Sequence, residues 1–404
     1  MKKRFLDIIV FLFLFSIPAG LMAQAMPAND NAISAKYSFV STIFNRILNS
    51  SGLDSFYKKL YELKTKDNGL VSIVHIGDSH IQADFLSGVV RNGLQEFFGD
   101  AGRGLVFPYQ LAQSNAPDDI SSTSNTRWKF NRLAHPEISI PPGISGHGIR
   151  TNTSGAAIHL SLRGIASPFN RLKFFTDSAD AVTWTVKADN SDSSYELKKN
   201  GQLYKEIDLE NASTGFSLTS HPTDATKELY GISLENSNSG IIYHTIGVNG
   251  ARYDQYNNAD LFWQQLPALK ADLFIVSLGT NEAQWDGFSE TAFYRTLSAF
   301  IEKLKQASPG ASVLFTTAPD SYKNRRYNTV LRQLNTSLAG YCNKNYLPLW
   351  DLYQITNGYG SAYSWTRRGL MTRDRIHFTP DGYRLQGNLL LGALAKGYNG
   401  YIGR

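Results

Sequence analysis

Four short blocks hold residue types that can do chemistry together: Gly77-Asp78-Ser79-His80, Gly247-Val248-Asn249-Gly250, Gly279-Thr280-Asn281-Glu282 and Asp374-Arg375-Ile376-His377. A serine hydroxyl is a weak nucleophile until a neutral imidazole takes its proton. The imidazole needs a carboxylate to fix its tautomer and to stabilise the imidazolium that forms. The oxyanion of an attacked carbonyl needs hydrogen-bond donors aimed at it. Ser79 suits the nucleophile, His377 the base and Asp374 the orienting carboxylate, and the Asp374-to-His377 spacing lets one loop supply both. The N–H groups of Ser79 and Gly250 and the side-chain amide of Asn281 suit the oxyanion, glycine at 250 allowing a close backbone approach. That chemistry is acyl transfer, with no metal and no cofactor. Taken singly, Gly-Asp-Ser, Asp-x-x-His and Gly-Thr-Asn-Glu read most simply as turns or caps. Four such blocks in order, each at the edge of a predicted element, do not.

The elements that must position them alternate in type. Leu70 to Ile76 is a β-rich apolar run ending at Gly77, and Ile81 to Phe98 has helical spacing with Phe85, Val89, Leu94 and Phe97 on one side. From about Ile241 the runs IIYHTIG, ADLFIVSLG, SVLFTTAP and YLPLW read as strands. DLFWQQLPAL, TAFYRTLSAFIEKLKQA, TVLRQLNTSLAGYCN and Pro380–Leu394 read as helices, the last with Thr379 as N-cap and Pro380 at its first position. Such alternation predicts an α/β fold, a three-layer, doubly wound parallel sheet in which loops at the carboxyl ends of strands converge on one crevice. Ser38 to Lys66 reads as one or two amphipathic helices preceding it. Between about Pro108 and Gly240 the period changes to two: Val182, Trp184 and Val186 share a face, as do Ile158, Leu160 and Leu162, and Tyr230, Ile232 and Leu234. Turn clusters separate these runs, which predicts an inserted all-β sandwich.

With these residues in view, the chain resembles the SGNH, or GDSL-type, hydrolases, of flavodoxin-like fold. The four lettered residues of that family correspond to Ser79, Gly250, Asn281 and His377, with Asp374 completing the triad. The resemblance spans Leu70–Phe107 and Ile241–Leu394, departing at His80, where many relatives have leucine, and at Glu282, where aspartate is commoner. The stretch GDSHIQADFLSGVVR, then FGDAGRGLVFP, the β-rich insert and TTAPDSY are similar to peptidoglycan O-acetylesterases carrying a carbohydrate-binding-like sandwich. This implies an esterase acting on an acetylated glycan polymer, most simply O-acetylated peptidoglycan. Deacetylation of another polysaccharide such as xylan, and acetyl transfer to a sugar by the same triad, remain open. The implied organisation is a leader over 1–25, a helical segment over 26–69, the hydrolase over 70–107 and 241–404, and the sandwich over 108–240.

Composition sets the remaining bounds. With 42% apolar and 18% charged residues the chain can bury a core, and a single cysteine, Cys342, excludes an intramolecular disulfide. A net charge of +6 with scattered basic residues gives no support for nucleic-acid binding. Lys2-Lys3-Arg4, the apolar run Ile8–Phe15 and the small-residue site Ala23-Gln24-Ala25 have the layout of an export leader, and the run is shorter than the roughly 20 residues a membrane span needs. The mature protein is therefore expected in the periplasm or outside the cell, with no membrane span and an undetermined oligomeric state. A metal-dependent phosphoesterase reading rests on Asp78-x-His80 and nearby His75, but lacks further ligands, and His75 falls inside a predicted strand. A non-catalytic glycan-binding reading would use aromatic side chains of the insert, with Trp128, Trp184 and Tyr195 as candidates. The alternation already puts Trp184 on a core-like face.

Overall fold

A computed structural model of the chain describes residues 24–135, 139–164, 167–176, 182–198 and 200–404. The leader read over residues 1–25 falls almost wholly on positions outside the described residues.

Five parallel strands lie side by side in the order Leu349–Trp350, Ser312–Thr316, Leu273–Ser277, Leu70–Gly77 and Gly240–Gly247. A two-residue strand, Ile47–Leu48, adds antiparallel at the Leu349–Trp350 edge. Strand Leu70–Gly77 is buried along all but its first residue, as a strand covered on both faces must be. One face packs on helices Asp54–Lys66, Phe85–Phe98 and Pro380–Ile402 through Phe56, Leu60, Val90, Leu94, Leu389 and Leu390. The other packs on helices Glu290–Ala307 and Thr329–Lys344 through Leu297, Phe300, Leu334 and Leu338. These are three layers, doubly wound. The order reverses between Leu70–Gly77 and Leu273–Ser277, the place where open sheets of this kind bind ligands. Gly77 pairs in register with both Gly247 and Ser277, so the first three blocks leave the sheet at one level.

The helix ends follow local chemistry. Thr379 caps Pro380–Ile402 by accepting from Gly382 N, and Ser289 caps Glu290–Ala307 by accepting from Ala292 N. Pro267 ends the Asp260–Gln265 helix in a 3₁₀ turn, Leu266–Leu269.

Two sequence expectations about helices need correction. Ser38–Leu48 is not helical beyond a 3₁₀ turn at Thr42–Phe44. Its Asn45 side chain is buried instead, accepting from Trp350 Nε1 at 2.9 Å and donating to the Leu389 carbonyl at 3.0 Å, and this anchoring leads into the edge strand. The run from Ile81 to Phe98 is broken at Asp84, whose φ is +62°. The break resets the rotation of helix Phe85–Phe98, so Leu86, Val90, Leu94 and Phe98 face the core, while Phe85, Val89 and Phe97 are half-buried.

Additional antiparallel sheets form a β-rich unit. One runs Ser194–Leu197, Trp184–Ala188, Gly215–Ser220, Ala157–Leu162, Ile120–Ser124; the other runs Lys205–Ser213, Phe169–Thr176, Lys227–Glu235, His147–Thr151, Lys129–Arg132. Ile158, Leu160, Val186, Phe216 and Leu218 of the first meet Leu172, Phe174, Leu229 and Ile232 of the second in a shared core. Gly104–Val106 pairs with Lys227–Glu235, and Leu105 N donates to His244 Nδ1 of the parallel sheet at 3.1 Å, which stitches the two sheet systems together. Trp128 and Trp184 are buried, so neither offers a face to a sugar. Tyr195 is half-buried, with its hydroxyl accepting from Glu210 N. Among the described residues no helix is long and apolar enough to cross a membrane.

Candidate active site

Ser79 opens a short helix, Ser79–Gln82, directly beyond strand Leu70–Gly77. Asp78 caps that helix by accepting from His80 N at 2.9 Å. The turn is tight: a Cβ at Gly247 would come within 2.2 Å of Gln82 N, so only glycine lets the neighbouring strand end abut the helix. Gln82 secures the second block by accepting from Asn249 N at 2.8 Å, while its amide nitrogen reaches the Ser114 hydroxyl and the Asn115 carbonyl of the β-rich unit.

Asp374 and His377 stand on one loop ahead of helix Pro380–Ile402. Ser79 Oγ lies 3.0 Å from His377 Nε2, and His377 Nδ1 lies 2.8 Å from Asp374 Oδ2. With Nδ1–H donating to the carboxylate, Nε2 is left to accept from the serine hydroxyl. The other carboxylate oxygen of Asp374 accepts from Thr372 Oγ1 at 2.5 Å, Ile376 N at 2.9 Å and His377 N at 3.0 Å. Partial burial alone would raise the Asp374 pKa; the His377 bond, the Thr372 hydroxyl and the two amides outweigh it and hold the carboxyl below its ordinary range. Both side chains stay over 40% exposed (His377 43%, Asp374 46%), so water reaches the dyad.

The second and third blocks join through Asn281, whose Nδ2 donates to the Ala251 carbonyl at 3.0 Å and to Asp78 Oδ2 at 3.3 Å. Gly250, at φ +84°, precedes Ala251. Among the described residues neither Ser79 N–H nor Gly250 N–H has an intramolecular acceptor. Ser79, His377 and Asp374 thus form one hydrogen-bonded chain, Asn281 reaches Asp78 beside Ser79, and Gly250 directly precedes Ala251, whose carbonyl Asn281 holds. The arrangement can deprotonate a hydroxyl and offer donors to an oxyanion.

A family model of GDSL-like lipases and acylhydrolases matches residues 215–385. The structure of a peptidoglycan O-acetylesterase superposes with a TM-score of 0.72 at 25% identity, covering 86% of this chain and 96% of that one. The parallel-sheet part of the chain has the fold of the SGNH hydrolases. A lipase/acylhydrolase from Enterococcus faecalis aligns over 39% of this chain and 77% of its own, with 21% identity and a TM-score of 0.31. A family two carbohydrate esterase from Cellvibrio japonicus aligns over 69% and 98%, with 12% identity and a TM-score of 0.28. Among curated proteins no sequence matches.

Several residues that support the site carried no clear signal in the sequence. Thr372 and Gln82 are polar residues near the blocks whose bonding depends on the folded loops. Glu282 accepts from Tyr253 N at 2.7 Å, linking the third block to the helix after the second. Burial pushes both Asp78 and Glu282 up to about 7, with the Asp78 charge adding to the effect at Glu282. His75 is a core residue, its ring nitrogens 2.8 Å from Tyr243 OH and from Ser277 Oγ. Among the described residues no three His, Cys, Asp or Glu side chains converge as an ion site. A groove of about 830 Å³ lies between helix Phe85–Phe98 and the β-rich unit, and no member of the Ser79–His377–Asp374 chain lines it.

Proposed function

We propose that the protein is an exported serine esterase that removes O-acetyl groups from a cell-envelope polysaccharide, with O-acetylated peptidoglycan as the substrate. The observation that carries this reading is the continuous chain Ser79 Oγ–His377–Asp374, with bonds of 3.0 and 2.8 Å. Ser79 Oγ attacks the acetyl carbonyl carbon as its proton passes to His377 Nε2, and Asp374 stabilises the imidazolium. The oxyanion takes hydrogen bonds from Ser79 N–H and Gly250 N–H, and from Asn281 Nδ2 as it exchanges its long bond to Asp78. Collapse breaks the bond to the sugar oxygen, which leaves as a hydroxyl with the proton from His377. Water, deprotonated by the same imidazole, then attacks acetyl-Ser79 and releases acetate. The exposure of the dyad favours water over a sugar as acceptor. No step calls on a metal or a cofactor.

The polymer is inferred from two sources. The 0.72 TM-score likeness to a peptidoglycan O-acetylesterase extends across the β-rich unit as well as the α/β part. The Lys2–Ala25 leader pattern would deliver the protein to where that polymer lies. The test is acetate release from O-acetylated peptidoglycan, with acetylated xylan alongside and the Ser79→Ala protein as control. Release from peptidoglycan that disappears in the variant is the expected result. Release from xylan alone would move the substrate to another polysaccharide.

A further inference from the structure

The loop bearing Asp374 and His377 also carries Arg375, whose guanidinium has no carboxylate partner among the described residues. It is held by rings instead: its carbon sits 4.6 Å from the Tyr322 centroid and 5.2 Å from that of Tyr363. Tyr322 belongs to a hairpin, Tyr322–Lys323 with Arg326–Tyr327, whose Asn324 and Arg325 turn has positive φ at both positions. Tyr322 N donates to the Arg375 carbonyl at 2.8 Å, so the hairpin is fastened to the loop. Tilted ring contacts continue from Tyr322 to Tyr327 at 5.0 Å and from Tyr327 to Tyr359 at 5.3 Å. Asp320 Oδ2 accepts from Gly360 N and Ala362 N, both at 3.0 Å, which fixes the segment presenting Tyr359 and Tyr363.

The result is a rim of tyrosines, Tyr363, Tyr327 and Tyr359, each 42 to 46% exposed. Arg325 and Arg326 stand exposed on the hairpin and, like Arg375, pair with no carboxylate among the described residues. Asp374 is engaged by His377 and Asp286 by Lys323. Large, rigid aromatic faces suit the apolar face of a sugar ring. Guanidinium groups already stacked on rings suit carboxylates, which they meet with paired N–H donors.

We infer that this rim binds the carboxylate-bearing peptide stems of peptidoglycan, with the adjoining sugar laid on the exposed tyrosines, and so feeds the polymer to Ser79. The inference rests on the peptidoglycan reading above and adds what recognises the polymer. It predicts that charge, not only acetylation, selects the substrate.

The test separates binding from turnover. The Ser79→Ala protein is sedimented with insoluble O-acetylated peptidoglycan at low salt, alone and with Arg326→Gln or Arg375→Gln added. The same is done with peptidoglycan whose carboxyl groups have been converted to amides, and with acetylated glucuronoxylan. Each arginine substitution should weaken binding to native peptidoglycan by about tenfold, as loss of one charge-assisted contact does. Amidated peptidoglycan should bind weakly and show no difference between the variants. Arg326 lies on an exposed hairpin turn, so the Arg326→Gln protein should keep the parent's circular-dichroism spectrum and melting temperature, which excludes misfolding. Binding that ignores both substitutions and the amidation would overturn the inference, as would tighter binding to glucuronoxylan. If the enzyme released no acetate from peptidoglycan yet bound it through these arginines, the hydrolytic reading would fall and the rim would stand.

Discussion

The rings of His80 and His377 lie with their centroids 5.6 Å apart, although only one of them meets Ser79 Oγ. His80 is buried among Phe378 and Tyr383, and its Nδ1 lies 3.0 Å from the Tyr383 hydroxyl. Burial, with the nearby His377 charge, lowers its pKa to about 3, so it stays neutral across the working range. It therefore packs as a neutral ring behind His377. His80→Leu should change kcat/KM for a small acetate ester by less than about tenfold. Steady-state kinetics on the purified variant decide this, and a loss of several orders of magnitude would make His80 a participant in proton transfer.

Asp374 accepts four hydrogen bonds, one of them from the His377 ring. In Asp374→Asn the oxygen that ties the loop can be kept, but an amide nitrogen can replace the oxygen facing Nδ1 and select the wrong tautomer. The expected loss in kcat is on the order of 10⁴, and smaller than that of Ser79→Ala. An Asn variant as damaged as the serine variant would mean that Asp374 also holds the loop in place, and circular dichroism would show it.

Asp84 is buried and accepts from Arg91 Nη1 at 2.6 Å and Arg103 Nη2 at 2.8 Å, and Arg103 Nη2 also reaches Asp119 at 3.0 Å. The network fastens helix Phe85–Phe98 to the β-rich unit. Asp84→Ala leaves two guanidinium groups short of their partner, and breaking a buried pair costs about 3–5 kcal/mol. Burial alone would raise the Asp84 pKa, but Arg103 and Arg91 outweigh it and hold the carboxyl at about 2. A folded pKa below the unfolded value gives stability that is present above the ordinary carboxylate range and lost as pH falls through about 4 towards 2. Denaturant titrations of the native and Ala proteins should therefore converge on acidification. A constant gap down to that pH would contradict the pairing.

Glu282 has the opposite sign. Burial raises its pKa from 4.5 to about 7, so the folded protein holds a proton that the unfolded chain releases. Its contribution to stability falls as pH rises from about 4.5 through 7. Glu282→Gln keeps an oxygen for Tyr253 N and cannot ionise. The variant should gain on the native protein at pH 8 relative to pH 5 in denaturant titrations. An equal difference at the two pH values would mean that Glu282 does not carry this penalty.

The placement of the site was legible because its residues sit where backbone rules put them. Gly77, Gly247 and Ser277 end three strands in one register, and Thr379-Pro380 starts the last helix just after His377. What the sequence hid was long-range. Asn45 reads as a polar residue on an amphipathic helix until Trp350 and Leu389 claim its side chain. The rotation of helix Phe85–Phe98 depends on Asp84 taking a positive φ to meet Arg91 and Arg103, the latter 19 residues away. The stack of Arg375 between Tyr322 and Tyr363 joins segments that no periodicity connects. In the β-rich unit, alternation located the strands, but it equally sent Trp184 inward, so an aromatic residue there was no sign of a sugar site.

Ser79 as the nucleophile is tested by rapid acid quench of the enzyme turning over nitrophenyl acetate, followed by peptide mass analysis. One added acetyl group is expected on the peptide containing Ser79, absent in Ser79→Ala, together with loss of turnover in that variant. Turnover retained by Ser79→Ala, or an acetyl group trapped on another residue, would contradict this role.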